Sequence, residues 1–283
     1  MIYVAQAIDQ FVSTNAINPT VAYSGLTTYA VGEEARIGTI VYKSTIADNL
    51  DSYPPENLEE TWIDWDVAND YAMLDPLEET ATNWTGDGIV VFARGSMDTI
   101  GIGKFNSTQI TIEYLDAIDT VLETETYNFS YYTNMYDPYT YGYGGFEFDS
   151  SQVVYKTIQR IGVNIRVTFS NSGNANYCGF LIAGYAQNMG DTLNKVQFRD
   201  IKYGKRLASE SKFNTIMDKN QLMNNLSKAK QNINNSLMFV IDPSESSSHN
   251  NMVVLGKIKD YSGVGELASK NEMSWTIEQE IRK

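Results

Sequence analysis

The residue types that most often perform catalysis are scarce in this chain of 283 residues. It has one histidine, His249, in the stretch PSESSSHNN, and one cysteine, Cys178, in the apolar run YCGFLIAGY. A Ser-His-Asp triad needs a positioned and oriented histidine, and a zinc site needs several His or Cys ligands. The two candidates stand 71 positions apart. The sequence therefore predicts neither a triad nor a metal site, and it predicts a buried, inert Cys178.

Carboxylates are abundant, with 35 Asp and Glu residues, but their spacing is not specific. Two carboxylates at a suitable separation suffice for a glycosidase, so a polysaccharide-degrading enzyme stays open as an alternative. Asp64, Asp66, Asp70 and Asp75 could bind calcium in a loop, yet they lack the ligand order of an EF-hand. A solvated acidic surface is the favoured interpretation.

Residues 101–104 (GIGK) are too short for a phosphate-binding loop. We expect no cofactor and no enzymatic activity.

The net charge of -14 is divided unevenly along the chain. Residues 1–150 contain 24 acidic and 4 basic residues, a net charge of -20, whereas residues 151–283 contain 11 acidic and 17 basic residues, a net charge of +6. The acidic half would repel phosphate groups, so direct nucleic-acid binding is not expected. The basic half could face the acidic half of another copy and favour head-to-tail association. Two solvated surfaces of different origin would give the same imbalance.

Composition places the chain among globular proteins. It is 42% hydrophobic and 12% aromatic, which is typical of a folded chain rather than a disordered one. A single cysteine excludes a disulfide framework. No segment is apolar over the roughly 20 residues that a membrane span needs, and the start MIYVAQAIDQF lacks the features of a signal peptide. We expect no membrane span and no export signal.

The first predicted domain is a small β-module at residues 20–66. The segment before it, residues 1–19, is too short for its secondary structure to be predicted from its pattern, and we expect an N-terminal arm or a short helix. After the turn at Asn18-Pro19, the segment TYAVGEEARIGTIVYKS alternates apolar and polar residues around Gly32 and Gly38, which predicts a β-meander. A Pro-containing loop then leads to Trp62. A domain boundary is expected near residue 66.

A β-sandwich is predicted over residues 67–206. Short runs such as GIVVFAR, TIGIGKF and GVNIRVTFS are separated by Gly, Asn and Asp, a spacing typical of a sandwich. Within the last run, Ile165, Val167 and Phe169 alternate with polar residues, the period of a half-buried strand. The predicted fold class is mainly β and multidomain, with the β-module followed by a jelly-roll-like sandwich and a small α+β domain.

A Tyr-rich loop is predicted at residues 127–148, where ten aromatic residues occur with hardly an aliphatic one. Tyrosine gives large amphipathic contact area at low entropic cost, so we favour an assembly interface over a loop folded on the sandwich. The tyrosines expected at this interface are Tyr131, Tyr132, Tyr136, Tyr139, Tyr141 and Tyr143.

The last predicted domain spans residues 207–283. Residues 218–233 have apolar residues at nearly helical spacing, with Asp218 as a candidate N-cap. The segments SLMFVID, MVVLGKIKDYS and SWTIEQEI follow and favour strands. One helix against three or four strands is the expected α+β arrangement.

Residues 20–65 resemble the chitin-binding modules of carbohydrate-binding module families 5 and 12, over about a sixth of the chain. The matching positions are Tyr23, Tyr29-Ala-Val-Gly32-Glu-Glu-Ala35, Gly38, Tyr42, Pro54 and Trp62. Ala35 stands where these modules usually have valine. The resemblance implies polysaccharide binding through aromatic faces that pack on sugar rings, with Tyr23, Tyr29 and Trp62 as the candidate glycan-binding residues.

The order of segments resembles a group of bacteriophage tail and neck proteins. In these, such a module precedes a segment like NDYAMLD at residues 69–75, a jelly-roll-like sandwich, a stretch like CGFLIAGYAQNMGDT at residues 178–192, and a C-terminal α+β unit. The resemblance implies a virion protein of the tail hub or neck, assembled in the host bacterial cytoplasm. Its expected partners are other copies of itself and neighbouring tail, portal or neck proteins. A tail protein that recognises a host surface glycan is the alternative.

Overall fold

The structure is a computed structural model that describes residues 2–6, 11–75, 80–95, 97–129, 153–157, 161–171, 174–188, 191–192, 197–203, 206–217, 237–240, 253–267 and 270–281. Its described residues form antiparallel sheets and two single turns of 3-10 helix, at Pro54–Glu56 and Ala72–Leu74. The predicted mainly β fold class is confirmed.

The first ten strands are β1 Ile2–Gln6, β2 Phe11–Thr14, β3 Glu34–Ile37, β4 Ile40–Ser44, β5 Trp62–Val67, β6 Thr82–Trp84, β7 Gly88–Ala93, β8 Thr99–Phe105, β9 Gln109–Leu115 and β10 Val121–Asn128. The others are β11 Val153–Thr157, β12 Asn164–Ser170, β13 Asn176–Asn188, β14 Asp191–Thr192, β15 Gln197–Tyr203, β16 Arg206–Met217, β17 Leu237–Val240, β18 Val253–Leu267 and β19 Lys270–Ile281.

Two sheets pack face to face as a sandwich. One is five-stranded, in the order β10-β9-β12-β7-β2, and the other contributes β11, β8, β13 and β6. Burial alternates residue by residue along β7 and β12, because successive side chains of a strand point to opposite faces. Both inner faces contribute to one core, whose members include Val90, Phe92, Ile100, Ile102, Phe105, Ile110, Ile112, Tyr114, Ile165, Val167, Phe169, Cys178 and Leu181.

The second sheet continues past the sandwich through the first strand of the chain. Its order is β11-β8-β13-β1-β17-β18-β19-β16-β14, with β15 also paired to β16. Strand β1 pairs with residues 184–188 on one side and with residues 237–240 on the other. Within residues 1–19, which were expected to be an arm or a short helix, residues 2–6 therefore form a central strand and residues 11–14 form β2 at the edge of the other sheet. Five residues are too few to show a period, and the pairing partners lie far away in sequence.

The module contains a three-stranded sheet in the order β3-β4-β5. Ile37 pairs with Ile40, so β3 and β4 are joined by two residues, of which Gly38 has φ 60°. A positive φ at the first of two turn positions is the type II′ arrangement, which favours glycine there. The glycine that marked the predicted meander thus forms its hairpin turn.

The C-terminal region contributes the long strands β16, β18 and β19, which pair antiparallel in the order β18-β19-β16. Trp275 and Ile277 of β19 are fully buried, and the Trp275 indole donates to the Thr215 hydroxyl at 2.9 Å. The helix predicted at residues 218–233 lies outside the described residues. Across the described part of the chain, no helix combines the length and apolarity needed to cross a membrane.

Gly162 provides a test of the sandwich packing. It has φ +78°, and a Cβ at this position would lie 2.6 Å from the Leu115 carbonyl oxygen. We expect Gly162→Ala to lower the free energy of unfolding by about 1 to 3 kcal/mol, because both backbone strain and a backbone clash oppose it. Denaturant titration followed by tryptophan fluorescence would measure the change.

The matched control is Gly86→Ala, since Gly86 has no heavy atom within 4 Å of the added Cβ position. Equal midpoints for the two variants would contradict the assigned role of Gly162.

Candidate functional site

Two of the three predicted sugar-binding aromatics form the core of the module. Trp62 is fully buried, and its indole N–H donates to the Ser52 carbonyl oxygen at 2.7 Å. The Tyr29 ring is also buried and lies edge-on to Trp62 at a centroid distance of 5.1 Å. Neither ring presents a face to solvent, so both side chains stabilise the module rather than form its surface.

Tyr23, the third predicted residue, stands at the edge of this core. Its ring stacks on Tyr29 at 5.7 Å with an interplanar angle of 16° and meets Tyr53 edge-on at 5.8 Å. Tyr53 is 42% exposed. The Tyr23 hydroxyl and the Asp51 carboxylate both lie close to Gly25, at 3.7 and 3.1 Å from the position that a Cβ would occupy there. We name Tyr23, Tyr53 and Asp51 the aromatic face.

The electrostatics of the aromatic face agree with this packing. Desolvation raises the pKa of the Tyr23 hydroxyl, and the negative charge of Asp51 raises it further. Tyr23 therefore stays neutral and can donate a hydrogen bond at physiological pH. Sequence reasoning missed Tyr53 and Asp51. The signal that could have indicated Tyr53 is its position directly before Pro54, at the entrance to a turn.

A groove of about 1200 Å³ lies between the module and the sandwich. Trp65 lines it and is 46% exposed. The Lys43 ammonium lies 3.7 Å from the centre of the Trp65 ring and 3.6 Å from a Glu34 carboxylate oxygen. A cation over an indole face is a favourable contact. The polar and charged residues that line the groove include Asn15, Asn18, Glu34, Asp64, Asp66, Asn69, Asn83 and Asp87.

Two asparagine side chains hold the walls of this groove together. The Asn15 amide donates to the Asp87 carbonyl and accepts from the Ile89 N–H, as a strand backbone would. The Asn69 amide donates to the carbonyls of Ile17 and Asn83 and accepts from the Asn83 N–H. The segments entering and leaving the module are thus bonded to each other and to the sandwich.

The four aspartates considered as a calcium loop have different surroundings. Asp64 and Asp66 line the groove, whereas Asp75 accepts from the Thr80 hydroxyl at 2.7 Å and the Asp70 N–H donates to Asn18. Within the described ranges, no group of three or more His, Cys, Asp or Glu side chains could hold a metal ion.

The outer edge of β10 is a further candidate. Strand β10 pairs with β9 alone among the described strands, and its residues 121–124 are exposed on both faces. The β9–β10 turn is held by Asp116, whose carboxylate accepts from the Ile118 and Thr120 N–H groups at 2.9 Å. These bonds lower the pKa of Asp116. Ile118 in this turn and Val121 and Leu122 at the start of β10 have exposed apolar side chains.

The tyrosines of the predicted assembly interface, Tyr131 to Tyr143, and the single histidine, His249, lie outside the described residues. Phe129, at the start of the Tyr-rich segment, packs edge-on against Phe105 at 4.9 Å. Phe129, the residue after β10, therefore packs against the sandwich core.

Comparison with protein-family models, with curated proteins and with solved structures found no match.

Cys178 is fully buried in the sandwich core, and its thiol lies 3.2 Å from the Phe180 carbonyl oxygen. Burial raises the pKa of this thiol, and the thiolate is the reactive form. We expect the native chain to resist a thiol reagent such as Ellman's reagent and to react fully after denaturation. The control is Asn174→Cys, at an exposed position just before β13, which should react at once with one equivalent. Equally fast labelling of native wild type would disprove an inert Cys178.

Proposed function

We propose that this protein is a non-enzymatic structural component of a bacteriophage particle, in the tail hub or neck, that assembles with copies of itself and with neighbouring tail or portal proteins. The observation that carries the assembly role is the exposed outer edge of β10. The placement in a virion, and assembly in the host bacterial cytoplasm, depend on the resemblance of the sequence to tail and neck proteins.

An edge strand presents unpaired backbone N–H and C=O groups and is a template for another strand. Proteins protect such edges with charged side chains, above all lysine, with proline, with a β-bulge or with a covering segment. β10, with the sequence VLETETYN, has neither lysine nor proline, but it has Glu123 and Glu125 and a register shift between Val121 and Glu123. The support for pairing is therefore the exposed apolar pair Val121 and Leu122, which a strand of a neighbour could cover.

The surroundings of β10 support the same role. At one end, Ile118, Val121 and Leu122 form an exposed apolar surface, which a partner could cover. At the other end, the chain continues into the Tyr-rich segment. Tyrosine-rich segments are typical of contact surfaces. An assembly interface would therefore extend along β10 and into this segment.

Lysine substitutions on β10 test the assembly role. We expect Val121→Lys with Leu122→Lys to weaken self-association and incorporation into particles by at least about tenfold, because charges replace apolar contact area at the strand edge. Analytical ultracentrifugation and mass spectrometry of purified particles would measure the two effects.

The control is Val12→Lys, at the opposite edge of the same sheet, where Val12 is 54% exposed against 53% for Leu122. A wild-type chain that stays monomeric and is missing from particles would exclude the proposed function.

The aromatic face favours a second function, recognition of a host surface glycan. Two tyrosine rings and a carboxylate at one exposed site are the groups that pack on sugar rings and bind their hydroxyls. Of the expected residues Tyr23, Tyr29 and Trp62, the proposed site keeps Tyr23, and it adds Tyr53 and Asp51.

Glycan-array binding tests this second function. We expect Tyr53→Ala to weaken binding of a recognised glycan by about tenfold, since loss of an aromatic anchor typically costs more than about 1 kcal/mol. Leu58→Ala is the control, because Leu58 is as exposed as Tyr53, at 43%. A wild-type chain without any glycan ligand would count against the function.

A further inference from the structure

The aromatic face combines two tyrosine rings at one exposed site. The Tyr23 and Tyr53 rings meet at an interplanar angle of 67° with their centroids 5.8 Å apart, and Tyr29 stacks on the Tyr23 ring. A cation is attracted to an aromatic ring when it lies within about 6 Å of the ring centroid. Because the two centroids are close together, one cation beside them can lie within that range of both rings.

Asp51 places a carboxylate at the same site. The Asp51 carboxylate and the Tyr23 hydroxyl both lie within 4 Å of one point, the position that a Cβ would occupy at Gly25. Asp51 is exposed, so a ligand can reach it. A carboxylate beside aromatic rings suits an ammonium group, which donates hydrogen bonds to the carboxylate and packs against the rings.

The charge of the whole module also favours a cationic ligand. Residues 20–66 contain nine acidic and two basic residues, a net charge of -7. Both basic side chains have partners elsewhere: the Lys43 ammonium lies 3.6 Å from a Glu34 carboxylate oxygen, and the Arg36 guanidinium donates to a backbone carbonyl at 2.9 Å. In neither contact does a basic side chain meet Asp51. A surface with this charge attracts cations and repels anions.

The charge of the site distinguishes between two kinds of sugar. The resemblance of the module to chitin-binding families favours N-acetylated sugar units, whose amide nitrogen carries no charge. An unacetylated amino sugar has the same ring but a primary amine, which is largely protonated at neutral pH like an α-amino group. Both sugars can pack a ring face on tyrosine. Only the unacetylated sugar offers an ammonium group to Asp51.

We propose that the aromatic face binds a saccharide with free amino groups, whose ammonium lies against the Tyr23 and Tyr53 rings and pairs with Asp51. This inference rests on the second proposed function, recognition of a glycan, and names the chemical class of the sugar. The rings provide contact area for the sugar, and the carboxylate selects its charge. Binding weakens as salt is added, since the carboxylate is exposed.

Two hexasaccharides that differ only in acetylation test the proposal. We expect the glucosamine hexamer to bind the full-length chain at least about tenfold more tightly than the N-acetylglucosamine hexamer in isothermal titration calorimetry, because only the former has ammonium groups. A lysine hexamer has ammonium groups but no sugar rings. It should bind at least about tenfold more weakly than the glucosamine hexamer, because it lacks the ring faces that pack on tyrosine.

Asp51→Asn removes the charge with little change in shape. It should weaken binding of the glucosamine hexamer by about tenfold and leave binding of the N-acetylglucosamine hexamer unchanged. Asp48→Asn is the matched control and should bind like wild type, because Asp48 is likewise exposed and both residues have φ 53°. Asparagine tolerates this left-handed backbone region, so both variants should fold, which circular dichroism melting would establish.

Three results would overturn the inference. Equal or tighter binding of the N-acetylated sugar would exclude selection of an amino group and leave glycan recognition intact. If the lysine hexamer binds as tightly as the glucosamine hexamer, or if Asp48→Asn weakens binding as much as Asp51→Asn, the module attracts cations without a specific site. If neither sugar binds, both the inference and the second proposed function fail.

Discussion

The pairing of strand β1 is the constraint on which the larger sheet depends. Five residues at the start of the chain lie between β13 of the sandwich and β17 of the C-terminal region. Without β1, the described strands of these two parts would form separate sheets, each with a newly exposed edge. The backbone hydrogen bonds of Ile2–Gln6 therefore do more than stabilise a local element. They make one continuous sheet of two regions that are distant in sequence.

The sandwich could be predicted from sequence because its inner strands have one buried face. In β12, Ile165, Val167 and Phe169 are buried while their neighbours are partly exposed, and the side-chain period of a strand makes this difference visible in the sequence. β1 could not be predicted in the same way. Its place depends on two partners more than 170 residues away, and no local pattern indicates such pairing.

The candidate sites, too, could be predicted from the sequence only in part. Aromatic type and spacing identified the module, yet whether a ring is core or surface depends on the depth at which the fold places it. Trp62, Tyr29 and Tyr42 fill the centre of the module, whereas Tyr53 stays outside. The groove between the module and the sandwich was still less predictable. Its walls come from segments that are separate in sequence, and the hydrogen bonds of Asn15 and Asn69 bring residues 15–18, 69 and 83–89 together.

The Asn69 side chain has a consequence for the history and engineering of the chain. Its amide binds the Ile17 carbonyl, so the point where the polypeptide enters the module lies beside the point where it leaves. A unit whose two ends meet can be gained, lost or exchanged between relatives while the host sandwich keeps its own strands continuous. The module is in this sense an insertion between residues 17 and 69 of the sandwich. A chain that joined residue 17 directly to residue 69 by a short turn would retain the sandwich without the module.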